Sequence, residues 1–579
     1  MGCQYGEELD KSEYKLKKIL GGYPAIGPQD LLFYKQISDY YGCPLQDVLS
    51  TAIPQKVNYS EEVFFQLTES GQALYSDKSA LEKISKKSPR QFECLELIAT
   101  APEGRASKAI LPSAISSLEK KGYVSRTSPE VISNVATPSG RSLTSEQEKA
   151  LTNIIAAVDA NSFSAKLLFG VTGSGKTEVY LRAINHALSL GKSALLVVPE
   201  ISLTPQMERV ISENLLSPGV ILHSQVAAGK RWYGWSELLQ GKKQVALGAR
   251  SAIFAPLANL GLIIVDEEHD GSYKQADGLH YNARDLAVMR AKLNNCPVVL
   301  GSATPSFESL VNVKRGRYTL LELPTRVASR PLPSIEVVDM RKIKRKELLA
   351  SSISPVLHDA LKTILEQKEQ AVILYNRRGF ASYLQCDDCG SVIECPNCSV
   401  TLTYHKNRNL LRCHYCDFSS RLPSFCPTCR DSQTTEVKVE DKSEGNLSIR
   451  GSGTERIAED LQALFPEAKI ARMDRDTVSK KGAHAQIIEE MRTGEADFLV
   501  GTQMIAKGHD LHSVTLSAIL DADIGLHLPD FRASENSYQL LTQAAGRAGR
   551  GEKPGRVIIQ TREPDHSSMV ALTTNRFLA

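Results

Sequence analysis

A glycine-rich turn between a short apolar run and an amphipathic helix pattern constrains this chain most. Residues 167–188 read LLFGVTGSGKTEVYLRAINHAL, with Gly170, Gly175, Lys176 and Thr177 in the spacing G-x-x-x-x-G-K-[ST]. In that context backbone N–H groups surround phosphates, the lysine reaches the β- and γ-phosphates, and the hydroxyl binds Mg²⁺. The sequence therefore predicts a parallel α/β domain that binds ATP and Mg²⁺ here. The predicted nucleotide contacts in this turn are Gly170, Gly173, Ser174, Gly175, Lys176 and Thr177.

Short apolar runs rich in β-branched residues alternate with helix patterns from residue 141 onwards. KLLFG, ALLVVPE and LGLIIVDEE lie in 141–312, and AVILYN, TLSAILDAD and GRVIIQT lie in 313–579. This alternation is typical of buried parallel strands joined by crossover helices. The pattern predicts an α/β fold with two similar lobes, lobe 1 over 141–312 and lobe 2 over 313–579.

Two segments precede these lobes. Residues 1–53 contain one or two amphipathic helix patterns and are interpreted as a helical linker. Residues 54–140 alternate short helix patterns with turns, and SAISSLEKKGYVSRT at 113–127 predicts a helix, a glycine turn and a strand. This ending favours a winged-helix-like domain over 54–140.

Two further clusters are predicted to complete an ATPase site. Asp266 and Glu267 follow an apolar run and should lie at the carboxyl end of a strand, where parallel sheets bind ligands. Asp266 is placed to hold Mg²⁺, and Glu267 to polarise the attacking water as general base. Arg547 and Arg550, expected on one face of a helix, would stabilise charge on the γ-phosphate. The nucleotide is therefore predicted to lie between two lobes whose separation changes on hydrolysis.

Eight of the 12 cysteines form four C-x-x-C pairs. Two such pairs complete a tetrahedral Cys₄ site that suits Zn²⁺, so two Zn²⁺ ions are expected in an insertion over 384–431 within lobe 2. Three pairings are possible, and the 14-residue gap between Cys398 and Cys413 favours an inner and an outer group. His405 and His414 could substitute as ligands, although eight sulfurs fill both sites. The outer group (zinc 1) is Cys386, Cys389, Cys426 and Cys429, and the inner group (zinc 2) is Cys395, Cys398, Cys413 and Cys416.

Composition narrows the class of protein only slightly. A formal net charge of +3 neither indicates nor excludes a nucleic-acid partner. No apolar run approaches the roughly 18–20 residues that span a bilayer, and the start lacks a signal-peptide core. The other four cysteines are scattered, which argues against a secreted disulfide framework. We expect a cytoplasmic protein without a membrane partner.

Longer strings resemble the PriA family of bacterial primosomal helicases in helicase superfamily 2. They are VPEISLTPQ (198–206), YKQADGLHYNARDLAVMRA (273–291), GSATPS (301–306), LYNRRGF (374–380), GTERIAEDL (453–461), GTQMIAKGHD (501–510), DADIGLHLPDFRASE (521–535) and QAAGRAGR (543–550). The resemblance implies two RecA-like P-loop lobes after a winged helix. It implies a 3′-to-5′ DNA helicase that restarts replication and starts primosome assembly. It also implies forked and single-stranded DNA, primosome proteins and single-strand-binding protein as partners, nucleoid association and a monomeric state.

The resemblance assigns roles to single residues and agrees with the inner and outer zinc groups. Gln147 is similar to a residue that reads adenine. Residues 273–281 resemble an aromatic-rich loop that couples single-strand contact to hydrolysis, with rings that stack on bases. Tyr273 and Tyr281 could instead be packed core residues, and Thr304 could be a strand-end turn residue. The implied DNA-coupling residues are Tyr273, Lys274, His280, Tyr281, Thr304, Thr502, Gln503 and Lys507.

Three other functions stay open at this stage. They are a double-strand DNA translocase that does not unwind, an RNA helicase, and a zinc-ribbon scaffold with a degenerate motor. The intact ATPase residues argue against the scaffold, and the cysteine insertion argues against the RNA helicase. Family members also carry DNA-binding domains before and after this region, so we expect the chain to begin after the first and to stop before the second.

Overall fold

The computed structural model describes residues 26–54, 64–100, 105–107, 113–127, 142–199 and 210–574, the last range with short gaps. The gaps are 212, 225, 328–330, 344–347, 350–351, 376–382, 399, 406–408, 432–446, 451–453, 475–476, 480–482, 507–510, 512, 529 and 552. Within these ranges the chain forms a helical pair, a small α/β unit, two larger α/β lobes and a cysteine-rich insertion.

The first described segment is a pair of helices, Pro28–Tyr41 and Leu45–Ala52. The rings of Phe33 and Tyr34 are buried in the same apolar cluster as Phe254 of lobe 1. Tyr34 also donates its hydroxyl hydrogen to the carbonyl oxygen of Phe254 at 3.2 Å. Where it is described, the predicted linker is therefore part of the lobe 1 core.

A buried ion pair joins this helical pair to lobe 1. Arg290 Nη2 lies 2.9 Å from Asp30 Oδ1, and the same guanidinium donates to the carbonyl oxygens of Ile253 and Ala255, each at 2.6 Å. Burial raises the pKa of Asp30, and the neighbouring Arg290 charge opposes that rise. The guanidinium is thus the main group that stabilises this carboxylate in the interior, with a backbone hydrogen bond at Gly27 as a smaller contribution.

Replacing Arg290 with methionine is expected to lower the free energy of unfolding of lobe 1 by about 3–5 kcal/mol, because an uncompensated carboxylate would stay buried. Asp30→Asn should lower it less, since an amide oxygen still accepts from the guanidinium. Urea unfolding followed by circular dichroism measures both changes. Arg315→Met, at an exposed arginine of the same lobe, is the matched control. An Arg290→Met midpoint equal to that of the control would contradict this role.

Residues 64–127, as described, form a small α/β unit. Strands β1 (Phe64–Leu67), β2 (Arg105–Ser107) and β3 (Val124–Thr127) form an antiparallel sheet in the order β2-β1-β3. The helices are Glu69–Ser76, Lys78–Lys87, Pro89–Thr100 and Ile115–Lys120. The helix, turn and strand expected at 113–127 are present. The winged-helix assignment of 54–140 stays a prediction.

In the described part of lobe 1, seven strands form one parallel sheet in the order β10-β4-β9-β8-β5-β7-β6. Its central strands are buried and mostly apolar, as expected for a sheet with helices on both faces. The strands are β4 (Ser164–Gly170), β5 (Ser193–Val197), β6 (Val220–Leu222), β7 (Val245–Gly248), β8 (Leu260–Val265), β9 (Pro297–Ser302) and β10 (Tyr318–Leu323). The helices are Ser145–Asp159, Lys176–Ser189, Ala228–Leu239, Ala283–Leu293 and Phe307–Lys314.

The border between the lobes lies later than the predicted one at 312. β10 pairs in parallel with β4 and is therefore an edge strand of lobe 1. A short apolar run after a turn can join either neighbouring sheet, and its sequence does not say which. Lobe 1 thus extends to Leu323, and residues 324–333, the interlobe linker, lead into lobe 2.

Lobe 2 is a second parallel α/β layer, and six of its described strands form one sheet in the order β11-β21-β20-β12-β19-β18. The predicted pair of RecA-like lobes is confirmed. The strands of lobe 2 and its insertion are β11 (Ser334–Asp339), β12 (Gln370–Tyr375), β13 (Tyr383–Cys386), β14 (Thr403–His405), β15 (Leu410–Arg412), β16 (Ser419–Arg421), β17 (Leu447–Arg450), β18 (Ile470–Met473), β19 (Phe498–Gly501), β20 (Val514–Leu520) and β21 (Arg556–Thr561). The helices are Pro355–Glu366, Pro427–Asp431, Thr454–Leu464, Ala483–Thr493, Ala533–Ala545 and Ser567–Thr574.

The insertion leaves lobe 2 after β12 and returns before the helix Thr454–Leu464. Its first and last strands, β13 and β17, pair antiparallel, so the two ends lie side by side. β14, β15 and β16 form a separate antiparallel sheet around a small core that includes Leu402, Leu411 and two buried cysteines. Adjacent ends let the insertion project without breaking the parallel sheet.

Candidate functional site

The glycine-rich turn lies between β4 and the helix Lys176–Ser189, as the spacing predicts. Gly173 and Gly175 have φ values of 84° and 78°, in the left-handed region that glycine adopts without strain. Lys176 Nζ donates to the carbonyl oxygen of Gly170 at 2.8 Å. The ammonium group therefore lies inside the turn, where phosphates would meet it together with the helix N-terminus.

Gln147 holds this turn from outside. It forms a capping box with Thr144 at the start of helix Ser145–Asp159, and its Nε2 donates to the carbonyl oxygen of Ser174 at 2.7 Å. A Cβ on Gly175 would lie 2.4 Å from that Nε2, and the φ of 78° at Gly175 also favours glycine there. Both ends of the Gln147 amide thus contact protein, and its reading of adenine stays a prediction.

The acidic pair follows β8 at the carboxyl edge of the lobe 1 sheet. Tyr180 donates its hydroxyl hydrogen to Asp266 Oδ1 at 2.9 Å. Burial, with the charge of Glu267, raises the pKa of Asp266 to about 6, while Lys176 acts in the opposite direction. Glu267 has a φ of 46°, a strained value for a non-glycine residue. Its Oε2 is buried and, among the described residues, has no hydrogen-bond partner.

His269 links the acidic pair to lobe 2, which the sequence interpretation missed. Its Nε2 lies 3.0 Å from Gln543 Nε2, and its Nδ1 lies 2.7 Å from Ser302 Oγ and 3.6 Å from Glu267 Oε2. The two ring nitrogens of His269 thus contact side chains of both lobes. The network therefore joins the candidate general base of lobe 1 to the last helix before the two arginines.

The two predicted arginines do not share a helix face. Helix Ala533–Ala545 ends before them, and residues 546–550 form a turn, here called the finger turn. Gly549, within this turn, has a φ of 69°, so the backbone there is not helical. Arg547 Nε donates to the carbonyl oxygen of Ala506, whereas Arg550 Nε donates back to that of Gly546. The expectation of one shared face is wrong because the glycines of GRAGRG break the helix.

The finger turn lies directly against the glycine-rich turn of lobe 1. A Cβ on Gly546 would meet the Thr172 side chain at 2.7 Å, so that side chain packs directly on the Gly546 backbone. The nucleotide was predicted to lie between two segments that are distant in the chain. Those segments, the glycine-rich turn and the finger turn, are in contact here. Whether the arginines reach a phosphate stays a prediction.

The two tyrosines of 273–281 are packed core residues, not stacking platforms. Tyr273 is 1% exposed and Tyr281 is 2% exposed, within the lobe 1 core. Tyr273 donates its hydroxyl hydrogen to the carbonyl oxygen of Asp266, and Tyr281 packs edge-on against Phe254 with ring centroids 5.1 Å apart. The prediction that these rings stack on bases is therefore wrong, since both rings are buried in the lobe 1 core.

The remaining DNA-coupling residues differ in accessibility. Lys274 and His280 are exposed, and Lys274 Nζ donates to the carbonyl oxygen of His280. Thr304 is 1% exposed, and its carbonyl oxygen accepts from Gln539 Nε2 of lobe 2 at 3.4 Å. Thr502 and Gln503 are half-buried in the turn after β19, and Lys507 lies outside the described residues. Among the described members of this set, Lys274 and His280 are the exposed residues.

The eight cysteines gather into the two groups that the spacing favours. In each group the four sulfur atoms lie within 4.8 Å of one another. The Sγ–Sγ distances are 3.8 Å for Cys386–Cys429, 3.6 Å for Cys389–Cys426 and 3.6 Å for Cys395–Cys416. A tetrahedron with Zn–S bonds of about 2.3 Å has edges of about 3.8 Å, so both groups fit Zn²⁺.

Known protein families cover both lobes and the insertion. Residues 144–313 match the DEAD/DEAH box helicases, and 435–552 match the helicase conserved C-terminal domain. Residues 395–421 match the PriA DNA helicase Cys-rich region domain. The ATP-binding lobe and the zinc ribbon thus have separate matches.

A comparison over nearly the full chain decides the family. The replication restart protein PriA of Chlamydia pneumoniae is 39% identical over 585 residues, which cover 96% of this chain and 76% of that protein. The chain belongs to the PriA family. The PriA protein of Bacillus subtilis (strain 168) is 44% identical over 435 residues, or 75% of this chain and 52% of that protein, so the chain spans about half of it. RecG bound to a three-way DNA junction has a TM-score of 0.43 at 16% identity, over 75% of this chain and 45% of RecG.

Some residues of this PriA-family site that the sequence interpretation missed could have been found from their position in the sequence. Tyr180 stands four residues after Lys176 on the P-loop helix, so both face the strand that carries Asp266. Gln543 is the first residue of QAAGRAGR, which carried the resemblance, and His269 stands two residues after Glu267. In the described residues, no helix is long and apolar enough to cross a membrane.

Proposed function

We propose that this chain is an ATP-dependent 3′-to-5′ DNA helicase that acts at stalled or repaired replication forks to restart replication and start primosome assembly. The contact between the P-loop and the finger turn carries the proposal. ATP at this contact would touch both lobes, so its cleavage would change how they fit together. Membership of the PriA family supports DNA rather than RNA as the track.

Each ATPase residue has a task that its position supports. Lys176 would hold the β- and γ-phosphates. Glu267 would accept a proton from the attacking water, for which its buried Oε2 is available. Arg547 and Arg550 would turn from their carbonyl partners to the γ-phosphate in the transition state.

Thr177 and Asp266 fit Mg²⁺. Thr177 and Tyr180 are three apart on one helix, and Tyr180 bonds Asp266, so the Thr177 hydroxyl lies on the face towards that carboxylate. When bound, the ion would neutralise charge on the phosphate oxygens. The two residues would orient it beside Lys176.

The DNA track would cross both lobes, and the zinc insertion would stand beside it. Lys274 and His280 are the open positions for single-strand contact in lobe 1. The insertion is tied to lobe 2 by Arg562, which lies 3.5 Å from Asp387 and 3.6 Å from Asp521. We propose it as a rigid element that separates strands or docks primosome proteins and single-strand-binding protein. Such partners would hold the protein at the bacterial nucleoid. We propose that it acts there as a monomer.

A labelled forked duplex tests the proposal. With ATP and Mg²⁺, strand release is expected, and single-stranded DNA should stimulate hydrolysis. Partial duplexes with only a 3′ or only a 5′ tail test polarity, and release should need the 3′ tail. Movement along duplex without release would favour a double-strand translocase, which is the second candidate. Hydrolysis that RNA but not DNA stimulates would contradict the proposal, as would a lack of hydrolysis with any nucleic acid.

A further inference from the structure

One arginine of the interlobe linker reaches the nucleotide cleft, and no motif above includes it. Arg326 is 6% exposed although it lies in a connecting segment. Its side-chain stem passes 3.8 Å from the place where a Cβ on Gly173 would stand. The next backbone N–H, that of Val327, donates to the carbonyl oxygen of Gly173 at 3.0 Å. The linker thus runs along the P-loop as a continuation of β10.

The same side chain contacts lobe 2. Arg326 Nη1 donates to the carbonyl oxygen of Gly549 at 3.2 Å and to that of Pro331 at 3.4 Å. Gly549 lies between the two predicted finger arginines, and its own N–H donates to the carbonyl oxygen of Val514 at 3.0 Å. The Arg326 side chain therefore connects the P-loop, beside Gly173, to the carbonyl oxygen of Gly549, which precedes Arg550.

We propose that Arg326 is a positioning residue for ATP hydrolysis, which holds the finger turn in register with the P-loop. This inference rests on the proposed ATPase function. Arg326 acts through Gly549, because its hydrogen bond fixes the peptide that precedes Arg550. ATP affinity comes mainly from the lobe 1 turn, which Arg326 borders but does not complete. Loss of its side chain should therefore act on the rate of hydrolysis more than on ATP binding.

Steady-state hydrolysis with saturating single-stranded DNA tests this split. Arg326→Ala should lower kcat by about 10²-fold, as expected for a misplaced catalytic group, with KM for ATP changed by less than about threefold. Arg326→Lys should recover part of the rate, since an ammonium can still donate to one carbonyl oxygen. Arg317→Ala, at an exposed arginine immediately before β10, should keep the wild-type kcat and KM. Wild-type kcat in Arg326→Ala, or a change confined to KM, would overturn the proposal.

Amide hydrogen exchange gives a second readout that does not depend on turnover. Peptides covering 546–551 should exchange about tenfold faster in Arg326→Ala than in Arg317→Ala, because the Gly549 segment loses its anchor. Zinc content and melting temperature would show that both variants fold. If the wild-type chain hydrolyses no ATP with DNA, the proposed function fails, and exchange alone decides about Arg326. Equal exchange in the two folded variants would then refute its positioning role.

Discussion

Replacing Lys176 with alanine is expected to lower DNA-stimulated ATP hydrolysis by about 10²–10³-fold, the loss typical for one preorganised charge-stabilising group. The ammonium group lies inside the P-loop, 2.8 Å from the carbonyl oxygen of Gly170. Nothing else in the described turn carries a positive charge at that place. Fork unwinding should disappear, whereas DNA affinity should change little, since the exposed Lys274 and His280 are untouched.

Phosphate release, strand release and fluorescence anisotropy measure these three properties. Lys314→Ala, at an exposed lysine of lobe 1, is the matched control and should keep hydrolysis and unwinding. An unchanged melting temperature would show that Lys176→Ala folds. Equal hydrolysis by Lys176→Ala and Lys314→Ala would remove the ATPase assignment of this turn.

Loss of a zinc ion from the inner cysteine group is expected to unfold that part of the insertion. Metal binding contributes about 10–16 kcal/mol to small zinc domains, far more than the few buried leucines here supply. Cys413→Ser should lower the zinc content from two ions per chain to one, since Cys413 is fully buried in that group. Basal ATP hydrolysis by the lobes should persist, because β13 and β17 close the insertion's base independently.

Elemental analysis counts the zinc, and amide exchange over 393–421 follows the unfolding. Cys43→Ser, outside both groups, should retain two zinc ions and native exchange. Two zinc ions in Cys413→Ser, or protection equal to that of Cys43→Ser, would contradict the inner and outer grouping.

Local patterns predicted what depends on local chemistry. The P-loop, the strand before Asp266 and the C-x-x-C pairs are set by spacing, glycine conformation and metal geometry, which a short stretch of sequence contains. The structure therefore has these three features where the sequence predicts them. The two-lobe architecture likewise followed from apolar runs that need cover on both faces.

Features that depend on distant contacts were not predictable in this way. β10 belongs to lobe 1 because it pairs with the edge of β4, and Tyr273 is buried in the lobe 1 core, where its hydroxyl group contacts the carbonyl oxygen of Asp266. An aromatic residue in a polar loop has the same local pattern whether it stacks on DNA or fills a core. Arg326 was missed for the same reason, since its partners Gly173 and Gly549 lie far from it in the chain.

A structure of the chain with ADP, aluminium fluoride, Mg²⁺ and single-stranded DNA would test the central claim most directly. That claim is that one nucleotide is held between the P-loop of lobe 1 and the finger turn of lobe 2. We predict that Lys176 and the P-loop amides surround the phosphates, with at least one guanidinium, of Arg547 or Arg550, within hydrogen-bond distance of the fluoride. A complex in which both arginines keep their carbonyl partners and point away from the nucleotide would contradict it.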